Sequence, residues 1–169
     1  MRNTLNSIAP GVIDFKRTLA VAWCSYSTVI QSRSWLPDGI GGVCWFAVDN
    51  PAQSPRIPIF CGSTKLPAAF EKCGQREYYP NSVLWEFRRA NKLATLSWQK
   101  TKKEFTDNVL EMEAMTFEGL PELEAEYSKA SAKKRAKLLN AYTAEIHDKC
   151  AARWKELESK YWSMFGRGF

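Results

Sequence analysis

The stretch Arg33 to Phe46, RSWLPDGIGGVCWF, limits the possible folds of this chain more than any other segment. Pro37 fixes its own φ and drives Leu36 into extended backbone. Pro37-Asp38-Gly39 is a turn with a mechanism: a preset φ, a side chain able to bond its own backbone, and a residue that accepts positive φ. Gly41-Gly42 allows a second reversal or a close approach by another group. From Gly42 to Asp49 the sequence GVCWFAVD reads as a strand, apolar on both faces and so buried on both.

The flanking segments extend this reading. Arg17–Trp23 (RTLAVAW) and Ser25–Arg33 (SYSTVIQSR) are rich in β-branched and aromatic residues and contain no proline. Arg56–Cys61 (RIPIFC) follows a Pro/Asn/Ser turn, and Pro58 confines it to an edge or a bulge. Residues 17–61 therefore predict about four strands, antiparallel because the loops between them are near hairpin length.

After the loop Leu66–Tyr79 the period changes to that of helices. One helix is predicted from about Val83 to Leu96, with Asn81 or Ser82 as its cap. A second carries Phe105, Val109, Met112 and Met115 and ends at Gly119 as a C′ glycine. A short third runs from Pro121 to Ala130. A long fourth follows Ser131, with Leu139, Tyr142, Ile146, Arg153 or Trp154, Leu157 and Tyr161 in helical period. The fold class is thus α+β: an antiparallel sheet followed and covered by three to four helices. No linker divides the chain, so residues 1–169 are expected to be a single domain or the C-terminal portion of a larger one.

Composition narrows the function classes. The net charge is +6, but the basic excess is spread over both halves. Only Lys133-Lys134-Arg135 with Lys137 clusters, with acidic residues on both sides. That pattern is a solvated helix face, and no nucleic-acid partner is expected. Five cysteines include no C-x-x-C pair, so neither a zinc site nor a disulfide framework is expected. Residues 1–16 do not form a signal peptide, and no apolar run is long enough for a membrane span. The default location is the cytoplasm.

The sequence SYSxxxQSRSWLPDxxGGVxWF, followed by DNP, then PIFCG and LPAAF, resembles the C-terminal part of the N-terminal-nucleophile cysteine dipeptidases, the bacterial dipeptidase A-like enzymes. Weaker matches continue through NSVLWEF to the helix of Tyr142, Trp154, Leu157 and Tyr161. The resemblance implies part of a four-layer αββα hydrolase. In such enzymes a free N-terminal cysteine attacks the peptide carbonyl and its own α-amino group is the base. The reaction is acyl transfer from a dipeptide to cysteine and then to water, without metal or cofactor. This chain begins Met1-Arg2-Asn3 and its first cysteine is Cys24. The expectation is therefore a chain that lacks the nucleophile and is inactive alone. It would either complete a catalytic part carried elsewhere or act as a non-catalytic interaction subunit or truncated remnant. A sheet face bearing Tyr26, Ile30, Val43 and Trp45 should then lack its partner layer, so self-association is expected.

Arg33, Trp35 and Asp38 are the candidates for substrate contact. An arginine at a strand end beside a turn can hold a dipeptide carboxylate bidentately. The alternative is an Arg33 stacked on Trp35 or paired with Asp38. Asp38 also suits an Asx turn, and Trp35 and Trp45 also suit a core. His147, flanked by Glu145 and Asp148, reads as a surface residue. Glu122, Glu124 and Glu126 spread round a helix and do not converge on a metal. No residue is assigned a catalytic role.

Overall fold

Three strands form the sheet of the computed structural model, which describes residues 2–12 and 19–166. They are β1 (Tyr26–Ser32), β2 (Gly42–Val48) and β3 (Ile57–Phe60), in the order β1-β2-β3 and antiparallel throughout. Tyr26 opposes Val48, and Ser32 opposes Gly42. Val43 opposes Phe60, and Phe46 opposes Ile57. Pro58 lies in β3, an edge strand, where a residue without an N–H is tolerated.

The fourth strand, predicted over Arg17–Trp23, does not form over residues 19–23. Residues 17 and 18 lie outside the described residues, and 19–23 form bends and turns. The Cys24 amide closes a turn on the Val21 carbonyl at 3.1 Å. The Ala22 carbonyl accepts from Lys92, and the Cys24 carbonyl from Arg88 at 3.2 Å. Side chains satisfy this backbone, so β-propensity finds no ladder to act through.

The helices are α1 (Arg2–Ile8), a single turn α2 (Asp38–Gly41), α3 (Val83–Thr95), α4 (Trp98–Lys129) and α5 (Ala132–Phe165), with a 3₁₀ turn at Ala68–Phe70. Ser82 caps α3, its hydroxyl accepting from the Trp85 amide at 3.4 Å. The predicted break at Gly119 does not occur. α4 runs straight through Gly119 and Pro121. The glycine is there for packing: a Cβ at Gly119 would stand 2.7 Å from the Tyr142 hydroxyl, which donates to the Thr116 carbonyl. Tyr142 thus locks α5 onto α4 at the point where local propensity would end the helix.

Alternation along the strands separates two surfaces. Val43, Trp45 and Ala47 point to one face and are buried. There Val43 and Trp45, with Phe60 and Ile40, meet Leu120, Leu123 and Tyr127 of α4 and Leu139 of α5. A second core joins Val48 and Ile57 to α3, the start of α4 and the end of α5, around Phe87, Phe105, Trp154 and Tyr161. Each fully buried Phe contributes about 1.5–3 kcal/mol. The other sheet face carries Tyr26 and Ile30 of β1, exposed, and Cys44, Phe46 and Ile59, half-buried. Val43 and Trp45, expected beside Tyr26 and Ile30, lie on the opposite face. The register sets Ile30 against Cys44, and a one-residue step reverses the side.

Candidate functional site

Between β1 and β2 the chain folds into a closed loop. The Arg33 amide donates to the Gly41 carbonyl at 3.0 Å, and the Pro37 carbonyl accepts from the amides of Ile40 and Gly41 at 3.0 and 2.7 Å. Gly41 is needed because a Cβ there would stand 2.8 Å from the Arg33 carbonyl. The loop wraps a concavity of about 250 Å³ lined by Ser32, Arg33, Ser34, Leu36, Asp38 and the Gly41-Gly42 pair.

Arg33 is buried. Its guanidinium pairs with Glu124 of α4, donates to the Ile40 carbonyl at 2.6 Å, and reaches the Gly41 carbonyl at 3.5 Å. It therefore straps the loop to α4; its partner is neither Trp35 nor Asp38. Trp35 is 75% exposed and stands outside the lining of the concavity. Asp38 opens α2, is exposed, and its carboxylate makes no hydrogen bond or ion pair with another described residue. Of the three candidates, Arg33 and Asp38 are brought together around one concavity, and only Asp38 presents an uncompensated charge there.

Two of the five cysteines have shifted thiols, Cys44 and Cys150, both upward. A nucleophilic cysteine needs a lowered pKa and a base within reach. Burial, with Cys61 nearby, pushes the Cys44 thiol up. Burial, with Glu113 nearby, pushes Cys150 up to about 12. Cys24 donates to the Tyr26 carbonyl at 3.2 Å. His147 offers no free nitrogen: Nδ1 lies 2.9 Å from Asp148 and Nε2 3.0 Å from Glu86. Its ring is 4% exposed, against the expected surface position. The stripe of Thr143, Ile146, Cys150 and Trp154 on α5 passes through residue 147, a signal the flanking acids obscured.

A buried polar network also escaped the sequence reading. Asn91 donates to Asp49 and to Ser54, each at 3.0 Å, and accepts from the Trp154 indole at 2.9 Å. Arg88 donates to Asp49 at 2.6 Å. Asp49 has φ of 60°, a left-handed conformation that Asp tolerates better than most residues. An asparagine on the apolar stripe of a predicted helix was the available clue. Every member is paired, so the network is a structural joint between the β2–β3 loop, α3 and α5. Among the described residues no group of three or more His, Cys, Asp or Glu side chains could hold a metal ion.

A family model for peptidase family C69 matches residues 6–111, more than half of the chain, and the chain belongs to that family. The match includes the whole sheet, the Arg33–Phe46 loop and α3. No curated protein matches the chain.

Proposed function

We propose that this chain forms the sheet-and-helix portion of a cysteine dipeptidase of the N-terminal-nucleophile type, and that it does not hydrolyse dipeptides unaided. The observation that carries this reading is the state of the thiols inside a peptidase-family domain: those with shifted acidity shift upward, and the single histidine is held on both nitrogens by carboxylates. A thiolate from another polypeptide segment would have to attack the substrate carbonyl. Collapse of the tetrahedral intermediate would break the C–N bond and expel the C-terminal amino acid as its protonated amine, leaving the first residue as a thioester, and water would then cleave the C–S bond to give the free acid and the thiol. The test is dipeptide cleavage by the purified chain, with and without a thiol alkylator. No turnover is expected. Turnover that alkylation abolishes would mean that an internal cysteine, Cys24 foremost, is the nucleophile.

A second reading, a non-catalytic interaction subunit, is favoured by β1. Among the described residues its outer edge has no strand neighbour in the sheet, its sequence YSTVIQS carries no charge, and Tyr26, Val29 and Ile30 are all more than half exposed. Such an edge is a template for pairing with another chain.

A further inference from the structure

We propose that the concavity of the Arg33–Gly42 loop recognises the free α-ammonium group of a short peptide through Asp38, with the peptide's first side chain lying on the open sheet face beside it. This rests on the dipeptidase reading and deepens it.

The charge balance of the cavity carries the argument. An arginine lining a peptide site normally signals a carboxylate ligand. Here Arg33 is neutralised by Glu124, and two more of its donors face the Ile40 and Gly41 carbonyls. The remaining formal charge in the lining is the Asp38 carboxylate, exposed and without a partner among the described residues. The hydroxyls of Ser32 and Ser34, both exposed, add further acceptors. A cavity so lined favours a cation with several N–H donors, which is what a primary ammonium offers.

The sheet supplies the second half of the site. Ser32 opposes Gly42 in the β1–β2 ladder, and one step along the same face Ile30 opposes Cys44, which opposes Ile59. Residues two apart on a strand share a face at about 6.6 Å spacing. The apolar row Ile30–Cys44–Ile59 is therefore one side-chain length from the cavity. A peptide held at Asp38 by its N-terminus places its first side chain on that row, so an apolar N-terminal residue is preferred over glycine.

Residue-resolved NMR titration of the full chain tests this with leucylglycine, its N-acetyl derivative, its C-terminal amide, and glycylglycine. Leucylglycine and its amide are expected to perturb the amides of residues 32–42 together with Cys44 and Ile59. N-acetylation should weaken binding about tenfold or more, the scale of one charge-assisted contact. Glycylglycine should bind more weakly than leucylglycine. Asp38→Asn should impose a similar tenfold loss for the free dipeptide, with the spectrum elsewhere unchanged because Asp38 is exposed. Undiminished binding of the N-acetyl form, binding by Asp38→Asn equal to wild type, or perturbations confined to other residues would overturn the ammonium site while leaving the dipeptidase reading intact. Absence of any perturbation by all four peptides at millimolar concentration would overturn both.

Discussion

Single side chains in this protein are governed by their partners more than by their type. His147 has two carboxylates at hydrogen-bond distance, and both contacts are satisfied together only by the imidazolium, which donates from each nitrogen. Burial works against the charge, but Glu86 and Asp148 outweigh it and hold the pKa above the ordinary value. A group whose pKa is raised on folding stabilises fully below its unfolded value, about 6.5, and loses that contribution as pH rises through the folded value. Urea unfolding of the wild type should therefore show stability falling above about pH 6.5, with a smaller fall in His147→Gln. A pH-independent difference between the two proteins would show that the imidazole is neutral throughout. The Asn91 network makes a sharper prediction. Asn91→Leu keeps the volume near constant but leaves Asp49, Ser54 and Trp154 each short of a partner. The loss should be about 3 kcal/mol or more, since each orphaned buried group costs about 1–3 kcal/mol. A loss under about 1 kcal/mol would mean that water or rearrangement replaces the bonds.

At the level of elements, the three strands and the long α5 were readable from period and punctuation alone. β1, β2 and β3 begin and end within one residue of the runs Ser25–Arg33, Gly42–Asp49 and Arg56–Cys61. α5 begins directly after Ser131 and ends before Gly166. The failures came where a local signal met a tertiary contact. Gly119 and Pro121 carry the marks of a helix end and a helix start, yet α4 continues through both. Two adjacent substitutions should have opposite signs. Pro121 is exposed, so Pro121→Ala restores a backbone donor without disturbing the core and should stabilise by about 1–3 kcal/mol. Gly119→Ala gains about 1 kcal/mol of helix propensity, but its Cβ meets the Tyr142 hydroxyl at 2.7 Å and displaces the bond to Thr116. Net destabilisation of about 1 kcal/mol is expected in thermal or urea unfolding. A stabilised Gly119→Ala would show that Tyr142 moves aside freely.

For the molecule as a whole, the notable surface is the β1 side of the sheet face that carries Phe46, the other end of which, Val48 and Ile57, packs against α3, α4 and α5. Tyr26 stacks on Phe46 at 5.6 Å there, and Ile30 is 71% exposed. Covering such a patch recovers about 25 cal/mol per Å² of apolar area. The isolated chain should accordingly self-associate or bind a hydrophobic dye. Light scattering over a concentration series and dye fluorescence measure this, and Ile30→Lys should reduce both without altering the fold. A strict monomer with no dye signal would mean that this face is satisfied as it stands. The same measurement separates the interaction-subunit reading from the dipeptidase one only in combination with the turnover assay.

Local patterns determined most of what is regular here. The residues of Arg33–Phe46 dictate a double reversal feeding a strand; that strand and its neighbours were readable from type and spacing, and the family from the resemblance carried by the same block. Sequence also placed Arg33 and Asp38 beside one turn. What it left open was the partner of each charge, because partners come from distant segments. Glu124, ninety-one residues from Arg33, neutralises it; Glu86, sixty-one residues from His147, holds its ring. The balance of charge around the loop, and with it the kind of ligand end the cavity favours, is therefore a property of the tertiary structure. A side chain's chemistry is local, but its electrostatic environment is the sum over every element packed against it.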